Sequence, residues 1–399
     1  MEQLLEKHRQ FLQTVPMEIV RDSIHDIDWK APMLSIRGPK GVGKSTLMRQ
    51  YIKSRFASDD PTVLYCSLDS VYFANHTLLD TAKKFYMNGG RHLFLDEVHK
   101  YDNWSTELKE IYDLYPQIQL CISSSSLLNL YAGQADLSRR CINYDIQGLS
   151  FREYLRFYKQ IDIPRFTLEQ ILSSPNSICE AVKAVCNPLV EFRQFLRYGY
   201  YPFYLNYKDS YYMAIEQVVN TIIDVDLVGV GRVDPANCRK IKALMSILCT
   251  SEPYQLDISK MSIQSGLMRN TLVDYLNRMS QAGLLTLLYS DLMNVKKMQK
   301  PDKIFIENPN LLYALSSSSV RTGTARETFA ANQLKYQHQV EFGKHQGDFF
   351  VDGSYRFEIG GEDKDYSQIA NLSNSYIFAD NIDSAIGHKL PLWLLGFLY

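Results

Sequence analysis

Short apolar runs, set between polar turns and helical stretches, dominate the first 150 residues. Met33-Leu34-Ser35-Ile36, Val63-Leu64-Tyr65-Cys66, Leu93-Phe94-Leu95 and Leu120-Cys121-Ile122 each have the length and apolar continuity of a buried strand. Between them, Leu47, Met48, Tyr51, Ile52 and Phe56 recur at helical spacing. Residues 75–86 read as a second helix, closed by Asn88-Gly89-Gly90, and residues 103–113 as a third, amphipathic one. Strands alternating with helices predict an α/β fold with a parallel sheet.

The pattern then changes. Residues 1–30 read as helix then loop, and residues 151–235 as helical and rich in tyrosine. Tyr198, Tyr200 and Tyr201 could stack bases, but an aromatic packing role is the expectation. Residues 230–235 have linker composition. Residues 238–306 read as a winged helix: helices over 238–249 and 256–262, a turn at Gly266, and a third helix over 269–279 with Leu272, Tyr275, Leu276 and Met279 as its buried stripe. A hairpin follows, starting at Gly283 and returning near 303–306. The last stretch carries a helix from near Gly323, strands at 348–351 and 355–358, and an apolar end, 390–399, that reads as a buried strand pair. The expected division is 1–150, 151–235, 236–308 and 309–399.

The densest chemistry lies after the first strand. Gly38-Pro39-Lys40-Gly41-Val42-Gly43-Lys44-Ser45-Thr46 fits the Walker A pattern without mismatch, in strand–loop–helix context. Glycines let the backbone wrap a phosphate, and the loop amides and helix start present positive charge to it. Lys44 is expected to reach the β and γ phosphates of ATP, and the Ser45 hydroxyl to ligand Mg²⁺. Leu93-Phe94-Leu95-Asp96-Glu97 has the Walker B form, an apolar strand tipped by an acidic pair. Asp96 is expected to hold the metal and Glu97 to polarise the attacking water. Ser123, at the tip of the next strand, is the candidate sensor of the γ-phosphate; a serine-rich helix cap is the alternative. Arg139 and Arg140 are candidates for an arginine finger acting in a neighbouring subunit, with a solvated basic pair as the alternative.

Composition narrows the partners. A net charge of −1 over 399 residues gives no global field for nucleic acid, so any such site is a local patch. Seven cysteines with no C-x-x-C pair predict reduced thiols in a cytoplasmic protein, not a disulfide frame or zinc site. No apolar run has the length of a membrane span.

Walker A, residues 95–113, the serine strand tip and residues 137–155 together resemble a prokaryotic AAA+ ATPase family, with a C-terminal region of unknown function. The resemblance implies ATP and Mg²⁺ as cofactors and a homo-oligomer. One departure is Ser123-Ser124, where that family often carries Thr-Gly. The fold it implies is a P-loop NTPase (AAA+/ASCE) sheet with a helical lid region, a winged helix and a small restriction-endonuclease-like α/β domain.

In helix-turn-helix proteins the recognition helix starts against base edges. Arg269, Asn270 and Thr271 are therefore candidate DNA contacts, with Lys296, Lys297, Lys300 and Lys303 as phosphate contacts on the wing. The last segment resembles a restriction-endonuclease-like domain, whose carboxylates would be Glu327, Asp348 and Glu358. A lysine normally stands two residues after the last of these; here that position is Gly360, and Lys364 is the nearest lysine. The site reads as a degenerate remnant. The function expected is Mg²⁺-dependent ATP hydrolysis driving a conformational change on DNA. A nucleotide switch acting on protein partners, and an ATP-licensed nuclease, are the alternatives.

Overall fold

β1 (Met33–Arg37), β2 (Val63–Ser67), β3 (His92–Asp96), β4 (Gln119–Ser124) and β5 (Ile142–Asp145) pair in parallel as one sheet of order β2-β3-β4-β1-β5. This computed structural model describes residues 1–124, 137, 139–229, 233–250, 257–290, 300–316, 320–344, 347–367, 369 and 372–399. Its contacts divide the chain into two units, Met1–Gly148 and Leu149–Tyr399.

In the first unit, α1 (Glu2–Thr14), α2 (Ser23–Asp26), α3 (Lys44–Arg55), α4 (Leu78–Met87) and α5 (Trp104–Leu114) accompany the sheet. The first four strands were legible because their side chains are buried almost throughout, which demands an unbroken apolar run. Trp104, Leu108 and Ile111 of α5 and Leu78, Ala82 and Phe85 of α4 bury into the same core as Leu64, Leu93, Leu95 and Leu120. Each large apolar side chain so buried stabilises by roughly 1.5–3 kcal/mol. Trp29 stacks on Tyr51 with ring centroids 3.9 Å apart, a packing role.

β5 was not anticipated. It is an edge strand whose residues are largely exposed, so it lacks the apolar signature. Its place is fixed instead by backbone pairing with β1 and by a 2.7 Å ion pair between Arg37 and Asp145. The strand order has a direct consequence. β1 and β3 both flank β4, so the loop after β1 and the carboxylates after β3 stand about two strand spacings, roughly 10 Å, apart at one sheet edge.

In the second unit, β8 (Val340–Phe342), β9 (Phe349–Val351), β10 (Tyr355–Gly360), β11 (Ser375–Ala379) and β12 (Lys389–Pro391) form a mixed sheet of order β12-β11-β10-β9-β8. β8, β9 and β10 are antiparallel neighbours, while β10, β11 and β12 run parallel. Helix Thr322–Leu334 packs on β10. Phe151, Leu155, Phe192 and Phe195 share one core with Phe329, Phe357, Trp393 and Phe397, so the early helices and the last sheet are buried together. Helices Cys238–Thr250, Ile258–Ser265 and Arg269–Gln281 precede the antiparallel pair β6 (Leu285–Leu288) and β7 (Lys303–Ile306). Gly266 joins the last two helices at φ 66°, a left-handed turn that favours glycine.

Two expectations need correction. The 390–399 end is not a strand pair: β12 is followed by a 3₁₀ helix, Leu392–Phe397. Gly396 explains the tight packing there, since a Cβ would lie 2.4 Å from Phe151 Cβ. Lys303 is not a surface lysine of the wing; it is buried and ion-paired, as described below. The tyrosines at 200 and 201 are buried and meet edge to face at 5.0 Å, so they pack and present no face to a base. Among the described residues, no helix is long and apolar enough to cross a membrane.

Candidate functional site

The Walker A loop starts tight against the backbone that follows β5. A Cβ at Gly38 would lie 2.0 Å from the Ile146 carbonyl oxygen, so only glycine fits. Gly41 and Gly43 take φ of 87° and 98°, which turns the chain into α3. No side chain caps the start of α3, so its first-turn amides face the loop. Lys44 is buried, and its ammonium donates to the carbonyls of Gly38 at 2.9 Å and Pro39 at 2.8 Å. The charge is thus held within the loop. Ser45 and Thr46, which open α3, are half-buried, as are Lys40 and Gly41. From behind, the buried Arg21 guanidinium donates to the carbonyls of Val42 (3.2 Å), Gln147 (2.6 Å) and Gly148 (3.1 Å).

Asp96 ends β3 with its carboxylate fixed on both oxygens. Tyr65 donates to Oδ2 at 2.6 Å, and Ser123 donates to Oδ1. Burial, then the Asp96 charge, pushes the Tyr65 hydroxyl well above its ordinary pKa, so it stays a donor. Glu97 follows at φ 53°, a left-handed conformation that costs a residue with a Cβ about 1–2 kcal/mol. The turn starts a 3₁₀ segment, Val98–Lys100, which returns His99 toward the strand tips. The buried His99 ring lies 3.4 Å from Glu97 through Nε2 and 2.9 Å from the Ser124 hydroxyl through Nδ1.

Of the sequence candidates, the loop, Asp96, Glu97 and Ser123 meet at this edge of the sheet. Ser123 engages Asp96 in this structure, and its hydroxyl also lies 3.5 Å from the Glu97 amide. Arg140 pairs with Asp113 through both guanidinium contacts at 3.1 Å and lies over the Tyr112 ring, while Arg139 is exposed. Tyr65, His99, Ser124 and Arg21 were missed. Tyr65 and His99 look like ordinary strand and turn residues until the register β2–β3–β4 is known.

The hard-oxygen donors of Ser45 and Asp96 suit Mg²⁺, and the loop turned by Gly41 and Gly43 onto an uncapped helix start suits a phosphate chain.

A second cluster lies in the C-terminal sheet. Lys303, from β7, reaches Glu327 Oε2 at 2.5 Å and Asp348 Oδ1 at 3.3 Å. Asp348 Oδ2 accepts from the Ile359 amide at 2.9 Å. Lys364 lies 2.5 Å from Glu358 Oε1. Its stem fills the room left by the missing side chain of Gly360: a Cβ there would meet Lys364 Cβ at 2.5 Å and Cγ at 2.6 Å. Burial, then the Asp348 charge, raises the Glu327 carboxyl to about 7 against the opposing pull of Lys303. Glu358 is raised by the same two causes. Burial opposes the Lys303 charge, but Glu327 and Asp348 outweigh it and keep the ammonium protonated. So the sequence candidates Glu327, Asp348, Glu358 and Lys364 do converge. They do not fit a divalent ion as arranged, because their own ammonium groups already neutralise them. Among the described residues, no group of three or more His, Cys, Asp or Glu is arranged to hold a metal.

The candidate nucleic-acid residues are partly visible. Arg269 and Asn270 are exposed and Thr271 half-exposed at the start of their helix, and Lys300 is exposed. Lys296 and Lys297 lie outside the described residues. The same corner exposes Ile263 and Met268 at 83% and 78%.

Comparison with known proteins agrees with the first unit. Residues 30–155 match the family model described as an AAA domain. An uncharacterized protein of Methanocaldococcus jannaschii is 28% identical over 287 residues, which span 69% of this chain and 60% of that protein. The match thus covers less than two thirds of that relative's length. Among solved structures, a Walker-type ATPase of Pyrococcus abyssi overlaps 78% of this chain and 95% of its own, at 11% identity and TM-score 0.39. RIF2 of Saccharomyces cerevisiae overlaps 55% and 94%, at 16% identity and TM-score 0.30.

Proposed function

We propose that the chain, whose residues 30–155 match a family model described as an AAA domain, binds ATP with Mg²⁺ and hydrolyses it to drive a conformational cycle. The observation that carries this reading is one sheet edge shared by a glycine loop around Lys44, a doubly anchored Asp96 and a strained Glu97.

The residues divide the work as follows. The loop amides and the Lys44 ammonium, released from the Gly38 and Pro39 carbonyls, take up charge on the β and γ phosphates. Ser45 and Asp96 would hold Mg²⁺, which supplies charge neutralisation at the phosphates. Tyr65 and Ser123 keep the Asp96 carboxylate from rotating. Glu97 orients and deprotonates the attacking water. Ser123, one hydrogen bond from Asp96, is placed to sense the γ-phosphate. Arg139, exposed, is available to a second subunit, whereas Arg140 would first have to leave Asp113.

For what the cycle acts on, we favour DNA, engaged by Arg269, Asn270 and Thr271 at the exposed start of helix Arg269–Gln281 and by Lys300. A second reading has its own support: Ile263 and Met268, strongly exposed beside Arg269, suit a protein partner. We assign no nuclease step to the C-terminal cluster, since Lys303 and Lys364 occupy its carboxylates. The ATPase reading is tested by phosphate release from the wild type and from Glu97→Gln. Turnover in the first with loss in the second supports it; equal turnover removes Glu97 from the mechanism.

A further inference from the structure

The two serines at the tip of β4 serve two different acids. Ser123 donates to Asp96 directly. Ser124, next along the strand, lines the other face. The His99 ring lies between its hydroxyl at 2.9 Å and the Glu97 carboxylate at 3.4 Å. Two of the three groups are sheltered: Ser124 is fully buried and the His99 side chain is 1% exposed, while the Glu97 side chain is 22% exposed and reaches the surface.

We propose that His99 is a positioning residue for hydrolysis, holding the Glu97 carboxylate in line with the attacking water and tying it to the tip of β4 through Ser124. This rests on the ATPase reading and extends it to a residue that no nucleotide motif contains.

The proton assignment follows from the partners. An ionised Glu97 can only accept, so Nε2 carries the hydrogen that faces it. In a neutral ring Nδ1 then accepts from the Ser124 hydroxyl. With that tautomer, Ser124, His99 and Glu97 line up as donor, relay and acceptor. Glu97 turns at φ 53° directly after the strand, and a displaced carboxylate there misaligns the water. His99 restrains it from the side of β4. It also makes the base answer to β4: a shift of the Ser123-Ser124 tip toward a γ-phosphate would move Asp96 and Glu97 together.

The test compares His99→Ala, His99→Gln and Ser124→Ala with wild type and Glu97→Gln, in the full-length protein, by phosphate release and by titration with a fluorescent ATP analogue. His99→Ala should lower kcat by about 10- to 100-fold, as expected of a misplaced catalytic group, with nucleotide affinity within about 3-fold of wild type. His99→Gln, whose amide N–H can stand where Nε2 stood, should recover part of the rate. Ser124→Ala should lose less than His99→Ala. In a Glu97→Gln background, His99→Ala should cost nothing further.

If Glu97→Gln hydrolyses ATP like wild type, the ATPase assignment of Glu97 itself fails. If Glu97→Gln is inactive while His99→Ala keeps the wild-type kcat, the positioning role is overturned. It is equally overturned if His99→Ala loses affinity as much as kcat, or if glutamine restores nothing. Should His99→Ala not fold, His99→Gln and Ser124→Ala decide the matter, with wild-type kcat in both counting against it.

Discussion

Lys44 and Asp96 are each held by neighbouring groups, and each by a different means. The lysine ammonium rests on two carbonyls, and the carboxylate rests on two hydroxyls. Lys44→Ala removes the charge that would pass to the phosphates. At about 1.5–3 kcal/mol for each charged hydrogen bond, ATP affinity should fall about 10- to 100-fold or more, measured by nucleotide titration. Glu327 makes a different kind of prediction. Its folded carboxyl titrates at about 7, above the ordinary value of 4.5. A raised folded pKa means the bound proton stabilises below 4.5 and that contribution is lost as pH rises through about 7. Thermal unfolding followed across this window should show stability falling with pH, and Glu327→Gln should flatten that dependence. At this scale the sequence was most informative where the motif is local. Lys44, Asp96 and Glu97 announce themselves by their neighbours in the chain. Tyr65 and His99 act through strands distant in sequence, so no spacing could reveal them.

Elements decide which of these residues can meet. β4 lies between β1 and β3, and that order is why the phosphate loop and the acidic pair share one edge. The strands themselves were legible as buried apolar runs; β5 was not, because an edge strand pairs by backbone and needs no apolar face. The same limit explains Lys303. In sequence it sits on a hairpin among other lysines and looks like a surface charge, while in the fold β7 carries it inward to Glu327 and Asp348. Lys303→Met should therefore destabilise the protein strongly, by about 3–5 kcal/mol, since it leaves buried carboxylates unpaired. A chemical denaturation curve measures this; a loss below about 1 kcal/mol would mean the pair is weaker than its burial implies. Gly360 is the companion case. The sequence shows an absent lysine, and the structure shows the Lys364 stem lying where that side chain would begin. Gly360→Ala should push Lys364 off Glu358 and cost about 1–3 kcal/mol by overpacking.

At the scale of the whole molecule, the two units carry unequal information. The first brings the Walker A loop, Asp96, Glu97 and Ser123 to one edge of a parallel sheet. The second offers a hydrophobic core shared by early helices and a late sheet, a neutralised carboxylate cluster, and an exposed corner around Arg269. The helical periodicity of 269–279 was enough to predict its helix, but not to say whether its exposed end meets phosphate or protein. ATPase rates measured with duplex DNA, single-stranded DNA, RNA and no addition separate the two. The DNA reading predicts stimulation that weakens steeply with salt and is lost in Arg269→Glu. Indifference to every nucleic acid favours a protein partner at Ile263 and Met268.

The central claim is that the loop around Lys44 and the acids after β3 form one hydrolytic centre for ATP. Steady-state phosphate release with Mg²⁺, from wild type and Glu97→Gln at matched nucleotide occupancy, tests it most directly. The account predicts turnover in the wild type and bound but unhydrolysed ATP in the variant. No ATP binding by either protein, or equal turnover by both, would contradict it.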